Sequence, residues 1–535
     1  MFNKIWFKLN NTTTGGAILI AFFSVFAKIV GLLRDRILAA NFSGAKIDFL
    51  DIYYAAFKLP DLVFNTLVLG ALASAFIPVF VKYLQKNKEE ANQIANSLLN
   101  LLLVVISLLT IVFIIFAPWF THLVVPGFSG DKFTLTVSFT RVMFLAILFF
   151  TVSNVLSGIL NSYKKFLTFS LAPIFYNLGI IFGILFFTRW LGPIGLAWGV
   201  VLGSFLHLLV QIPEVLTTGW RYNFTYQFKH PAVRQIITLM IPRTFGLAVA
   251  QVNQVVTVII ASTLAAGSVA YFNLANNLQS FPISVFGVSI AIACFPVFSQ
   301  AFAEKNQEKF VISFSVNFRR ILYLIIPFSI FLLLLRAQIV RLVLGTGNFS
   351  WTDTIQTAQT LGFFSLSLFA QSLIPLLSRS FYAFEDTKTP VYISLFSVLV
   401  NMVGAIILGN YYGIFGVAIA FSIASILNFI ILLTILRFKV GYLDDKKLAY
   451  STLKISFLSL LCGLLAYLVM HIVAPMVNMR TFFGIFTQTL AALFIGGGAY
   501  IILSVLFKFE EVEIIGKFLS KYLKVFQKNN KPENP

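Results

Sequence analysis

Lys28, Arg34, Asp35 and Arg36 lie inside one apolar stretch near the start of the chain, and Asp51 opens the next. Charge within such a stretch is costly, so it faces a cavity, a partner charge or the membrane edge. Lys28 and Asp35 are seven residues apart and share a helix face, with Arg34 beside them. Arg36 points elsewhere, toward the outer interface. Arg243, after Pro242, enters a later apolar run that also carries Gln251, Asn253 and Gln254; Asn276 and Asn277 follow on the next. An arginine fork pairs bidentately with phosphate oxygens and stays charged. A cationic cavity holding Lys28, Arg34 and Arg243 therefore suits a bulky anion such as a pyrophosphate-linked headgroup. Asp35 and Asp51 are expected to pair with those cations and help switch the cavity between states. Arg141, Arg336 and Arg341 read as snorkelling or structural cations.

Catalytic chemistry has little support. The chain has no phosphate loop ending in Gly-Lys-Ser/Thr and no His-Glu-x-x-His, and its four histidines share no spacing. Cys294 and Cys462 sit in apolar runs, with neither a disulfide framework nor zinc-ligand spacing. Asp444 and Asp445 fall in a lysine-flanked loop and read as solvated surface. The expectation is a transporter without a metal or a resident cofactor.

The elements that must position these charges are membrane helices. Of 535 residues, 59% are hydrophobic and 11% charged, with a mean hydropathy of +0.91. A water-soluble surface needs more charge than that, so the chain is expected to be an all-α polytopic membrane protein. Spans of roughly 20 apolar residues, read against polar breaks, number about fourteen. Their limits are 15–40, 49–82, 93–119, 134–161, 166–188, 193–217, 235–264, 268–302, 310–344, 354–383, 389–409, 412–437, 449–473 and 481–507. Alternate loops are rich in Lys and Arg, which puts both termini on the cytoplasmic side of a bacterial inner membrane. The net charge of +20 is then loop charge facing anionic lipid, and nucleic acid is not implied. From 509 to 535, apolar residues recur at helical spacing opposite lysines, as in an amphipathic helix lying on the inner leaflet.

The chain also repeats itself. "AFIPVF" at 75–80 resembles "ACFPVF" at 293–298, with Pro78 and Pro296 218 residues apart. "GLAWG" at Gly195 and "GVAIA" at Gly416 are 221 apart. Two parallel six-helix lobes follow, 1–220 and 221–440, a plan found in transporters. Residues 441–508 hold two further spans.

"VGLLRDRILAANFSG", "DIYYAAFKLPDL" and "GALASAFIPVF" resemble the opening of the MviN/MurJ-type lipid II flippases, of the multidrug/oligosaccharidyl-lipid/polysaccharide exporter superfamily. "VVPGF" at 124–128, "GILNSYKKF" at 158–166, "APIFYN" at 172–177, "GSVAYF" at 267–272 and "DTKTP" at 386–390 match further positions in order. The resemblance implies two lobes around a cationic cavity and a groove from spans 13 and 14 for the lipid tail. It also implies alternating access, driven by Na+, H+ or membrane potential. Arg34, Asp35 and Asp51 match the family pattern, while Lys28 stands where Arg is usual. Phe64 and Leu69 replace an Arg and a Glu, and Asn277 replaces an Arg; Arg243 is expected to compensate.

The implied substrate is lipid II, an undecaprenyl-pyrophosphate-linked peptidoglycan precursor. The alternatives are a flippase for another polyprenyl-linked oligosaccharide, a multidrug/cation antiporter, or a membrane glycosyltransferase. An antiporter favours an acidic, aromatic cavity, and a glycosyltransferase needs an essential carboxylate in an outer loop.

Overall fold

The computed structural model describes residues 13–512. Nearly all of the expected amphipathic tail lies outside the described residues, as do the side chains of 13–18, 21, 69–74 and several positions between 242 and 250. Among the described residues all regular structure is helical, and it forms fourteen rods in the places the sequence assigns them. In chain order, α1 is Thr13–Phe42, and α2 runs through Asp48–Ala56, Lys58–Val63, Phe64–Leu69 and Gly70–Leu84. Next, α3 is Lys88–Ile115 continued by Ala117–Val124, and α4 is Gly130–Ser162. Then α5 covers Leu167–Phe182, Gly183–Phe187 and Thr188–Leu191, and α6 is Gly195–Leu209 with the short Ile212–Thr217. After these come α7, Pro231–Ser262, and α8, made of Ser268–Pro282, Ile283–Val288 and Ser289–Ala303. The next rod, α9, is Gln307–Leu334 with Arg336–Leu344, and α10 is Trp351–Ser365 with Leu368–Ala383. Last are α11, Lys388–Tyr412; α12, Ile414–Val440; α13, Asp445–Val473; and α14, Phe482–Leu506.

Nine described helices are long and apolar enough to cross a bilayer, and the two halves of α10, bent by 49°, make a tenth. One of the nine, Leu167–Thr217, is two spans folded back on each other at Gly192, whose φ is +66°. The rods α1, α2 and α7 each contain residues whose side chains are outside the described set, and they carry Lys28, Arg34, Asp35, Asp51, Lys58, Asp61 and Arg243.

The α5–α6 hairpin closes on glycine. Gly179 lies against Gly203 and Gly183 against Gly199, and a Cβ on Gly199 would stand 2.8 Å from the Gly183 Cα. Only glycine permits backbones that close, and without a hydrophobic force between helices in lipid such contacts carry the packing. Gly199→Leu is expected to destabilise the folded protein by about 1–3 kcal/mol, as overpacking does. A thermal-unfolding series in detergent with Gly199→Ala as the milder step checks this.

The internal repeat extends to backbone irregularities. The π-helical turns Phe64–Leu69 and Ile283–Val288 are 219 residues apart, and each leads into a 15-residue helix with an internal proline, Pro78 or Pro296. Asn87 and Asn306, again 219 apart, each cap the following helix with a side-chain oxygen. Gly192 and Gly413, 221 apart, both have positive φ, and three residues later Gly195 and Gly416 lie against the backbone of Phe187 and Leu408. Loose sequence matches at one offset thus mark shared backbone geometry.

The chain divides into two compact units. The first takes in residues up to Asn277 together with 343–357 and 394–420. Its apolar core includes Phe76, Phe80, Ile94, Leu98, Leu156, Ile159, Trp220 and Ile236, from α2, α3, α4, the loop after α6, and α7. The Asn401 amide donates to Asn253 Oδ1 at 2.8 Å, tying α11 to α7. The second unit takes in 278–342, 358–393 and the chain from Phe421. There the buried Arg319 guanidinium donates to Glu511 at 2.6 Å and to Glu510 at 3.1 Å, and Lys447 pairs with Glu510 at 2.8 Å. These pairs fasten the turn Glu510–Val512 beside α9 and α13. An apolar groove of about 800 Å³ runs among α9, α10, α12 and α13, lined by Phe318, Phe369, Phe429 and Leu453. Leu453, Phe457, Leu460, Leu464 and Leu468 on α13 are all exposed. Their helical spacing makes one lipid-facing stripe, since a bare apolar strip of that length is not stable in water.

Candidate functional site

In the first unit a cavity of about 350 Å³ opens among α1, α2, α5, α7 and α8. Its α2 wall follows from the break at Leu59–Pro60. Proline removes a donor and disturbs the helix interior; the rod pauses at Phe57 and restarts at Lys58, and one face runs on across the break. Tyr53, Phe57 and Asp61, four residues apart in turn, line the cavity together with Tyr54 and Lys58. Across the other rods the lining takes Arg34 from α1, Tyr176 from α5, Gln251 and Gln254 from α7, and Asn273, Asn276 and Asn277 from α8.

Asp35, 2% exposed, organises the charged end. Its Oδ1 accepts from Arg34 Nη2 at 2.7 Å and Nε at 3.0 Å, while its Oδ2 accepts from the Asn277 amide at 2.9 Å. One buried carboxylate therefore holds a guanidinium from α1 and an amide from α8. Beside it, Lys58 donates to Asn273 Oδ1 at 3.0 Å. Asn273 in turn donates to the Val269 carbonyl at 2.7 Å, which fixes its orientation.

The structure brings together three of the residues singled out from the sequence, Arg34, Asp35 and Asn277. Lys28 stands two turns earlier on α1, exposed, and does not line the cavity. Arg243 lies on α7, but its side chain is outside the described residues. Asp51 is expected to pair with the cavity cations; in the structure its partner is Lys132, at 2.7 Å. The reason is rise along the helix. Asp51 is seven residues before Lys58, which places it roughly 10 Å up the rod, against the α7–α8 turn. There its two oxygens also accept from the backbone N–H of Gly267 at 2.7 Å and Ala270 at 2.9 Å. Phe64, standing where the family resemblance expects an arginine, packs its ring against Phe150 at 4.9 Å.

Sequence reading did not single out Asp61, Asn273 or the three tyrosines. A signal was present: Tyr53, Phe57 and Asp61 are i, i+4, i+8 around a charged Lys58, a polar stripe on a span. Asn273 and Tyr176 carry no comparable pattern, since only packing turns them to this space.

A family model described as Lipid II flippase MurJ matches residues 39–488. A probable lipid II flippase MurJ of Thermotoga maritima is 31% identical over 504 residues, 92% of this chain and 96% of the relative. The lipid II flippase MurJ of Burkholderia cenocepacia is 27% identical over 424 residues, 78% and 82% of the two chains. A solved structure of lipid II flippase MurJ in an inward closed conformation superposes with a TM-score of 0.76 at 28% identity, covering 92% of this chain and 98% of that one. An inward-facing multidrug resistance MATE family transporter of the MOP superfamily shares the fold, with a TM-score of 0.62 at 17% identity over 80% of this chain and 95% of that one. With the family model spanning most of the sequence and the same helical architecture around the cavity, this chain belongs to the lipid II flippase MurJ family of multi-pass membrane transporters.

Proposed function

We propose that this protein moves lipid II, an undecaprenyl-pyrophosphate-linked peptidoglycan precursor, from the inner to the outer leaflet of a bacterial cytoplasmic membrane. The observation that carries the reading is the family match along residues 39–488, with Arg34 of α1 in the wall of a polar intramembrane cavity. A guanidinium has five N–H donors in a planar fork, more than Asp35 takes up, and it pairs bidentately with phosphate oxygens. Asp35 is the internal counter-charge that holds Arg34 between transport events. A pyrophosphate entering the cavity competes for the same fork, and exchange of one anion for the other couples substrate to the position of α1. Lys28, outside the cavity on the Asp35 face of α1, and Arg243, on α7, add positive charge along the route, and Asn277 reports the state of Asp35 to α8. The apolar groove beside α13 holds an isoprenoid tail while the headgroup crosses. Membrane potential or a Na+ or H+ gradient returns the carrier, and both termini face the cytoplasm.

A second reading, transport of a different polyprenyl-linked glycan, draws support from Phe64 and Asn277, neutral where the family resemblance expects arginine. Reconstitution into liposomes separates the two. Lipid II and a polyprenyl-pyrophosphate glycan lacking the peptide are supplied in turn, and leaflet accessibility is measured with an impermeant enzyme. Lipid II is expected to cross at least about tenfold faster, a difference of about 1.4 kcal/mol in barrier. Equal or faster movement of the other glycan transfers the assignment to it.

A further inference from the structure

We infer that the connector between α6 and α7, residues 218–230, is an anchor in the headgroup zone of the inner leaflet, with anionic phospholipid as its partner. The inference shares with the flippase reading only the orientation of the chain in the membrane.

Tyr222, Phe224, Tyr226 and Phe228 alternate with polar residues, and all four are exposed, Phe224 by 68%. Phe224 meets Tyr226 at 4.6 Å and Tyr226 meets Phe228 at 5.3 Å, so these rings form a ladder on the outside of a non-helical segment. The inside of the segment is tied to α3. The Asn96 and Asn100 amides donate to the carbonyls of Arg221 and Thr225, each at 3.0 Å, and the Gln227 N–H donates to Ser97 Oγ at 3.2 Å. Non-helical backbone lies at membrane depth only where such partners satisfy it. At the matching place in the second copy, residues 441–444 suffice to join α12 to α13. The ladder is therefore not needed to close the chain.

The depth of the ladder follows from α3. Ser97, Asn100, Val104, Leu108, Ile111 and Ile115 recur at helical steps and share one face. From Val104 on, exposed apolar residues make that face lipid-facing. The connector covers the other end of the same face, one to two turns or roughly 6–10 Å from Val104, about the depth of one headgroup layer. Aromatic rings collect at that level, between tails and water. The charge agrees: Arg221, Lys229 and Arg234 are exposed, and among the described residues none of them forms a salt bridge. A cationic fringe on an interfacial apolar face matches anionic lipid. Because the connector runs straight into α7, the anchor sets the height at which that rod enters the membrane.

The test uses the full chain in lipid nanodiscs with one fluorophore on an introduced thiol, at Phe224→Cys, Lys86→Cys or Leu108→Cys. All three positions are exposed, and Cys294 and Cys462 are buried, so the new thiol takes the label. Lys86 is the aqueous reference and Leu108 the lipid one. Phosphatidylcholine with a nitroxide near its headgroup is expected to quench the label at 224 more than at either reference, and aqueous iodide to quench it less than at 86. Nitroxide on phosphatidylglycerol should quench the label at 224 at an about fivefold lower lipid fraction, the attraction of one surface cation. In Arg221→Gln/Lys229→Gln/Arg234→Gln that preference should fall below about twofold. A label at 224 that behaves as at 86 leaves the connector in water and overturns the anchor. Protection from both quenchers overturns it too, because a protein surface then covers the ladder. Equal quenching by the two lipids in wild type, or a preference that survives the triple variant, removes the anionic partner. No substrate is present, so none of these outcomes bears on lipid II transport.

Discussion

Arg34→Ala is expected to abolish rescue of a conditional lipid II flippase mutant that the wild-type chain restores to growth. In liposomes the same variant should move lipid II at least about 100-fold more slowly, a loss of about 2.7 kcal/mol. The size follows from what a bidentate arginine supplies, namely two parallel charge-assisted bonds in a site of low dielectric. Removing Arg34 has a second effect, because Asp35 is buried and takes two of its bonds from that side chain. A buried carboxylate stripped of its cation destabilises a protein by about 3–5 kcal/mol, so the single variant alone confuses transport with folding. Arg34→Ala/Asp35→Asn removes both charges and should recover melting temperature without recovering transport. Arg34→Lys keeps the charge but not the fork, and intermediate transport is expected. If the charge-neutral double variant flips lipid II as wild type does, Arg34 is a structural counter-ion and the proposed substrate contact is wrong.

Asp51→Ala is expected to lower stability by about 2–6 kcal/mol, the cost of leaving two buried N–H groups without an acceptor. Asp51 is 1% exposed and accepts one bond from Lys132 and two from the backbone at the start of α8. A carboxylate at a helix N-terminus satisfies orphan N–H groups and complements the helix dipole. Alanine leaves the buried N–H groups of Gly267 and Ala270 without an acceptor. Lys132 is less affected, because it is partly exposed and keeps Asp48 at 2.5 Å. Asp51→Asn retains an acceptor oxygen but not the charge and should fall between wild type and Asp51→Ala. Thermal unfolding of the three proteins in one detergent gives the order. Equal melting temperatures would show that water replaces the carboxylate and that the clamp is not structural.

A related clamp lies nearby in the same unit. Asp353 accepts from the Tyr271 hydroxyl at 2.7 Å, from the Gly44 N–H at 3.0 Å and from the Ser350 N–H at 2.8 Å. Two buried carboxylates thus collect amides and hydroxyls from the α1–α2 loop, the α7–α8 turn, the start of α8 and the segment before α10. Asp353 does not stand out in the sequence, since a single acidic residue near a span end reads as solvated, while Asp51 stands out but is expected to meet a different partner.

The amino-acid sequence by itself determined the membrane class, the positions of the fourteen helical rods and the two-copy repeat. These depend on properties that are local along the chain: apolar length, the interval between charged loops, and glycine or proline at particular steps. It also marked Arg34 and Asp35 as candidates for a charge site, because charge within an apolar span is costly and stands out without a fold. Only the tertiary structure decided which charges meet. Asp51 and Asp35 are both acidic residues at the front of the chain, but helix rise carries Asp51 to the α7–α8 turn while Asp35 stays beside the cavity. Lys58 and Asp61 extend the Tyr53–Phe57 wall of the cavity, and α5, α7 and α8 bring Tyr176, Gln251 and Asn273 to the same space from far along the chain. Such convergence depends on helix rotation, which is set by contacts between rods and leaves no periodic trace within any one of them.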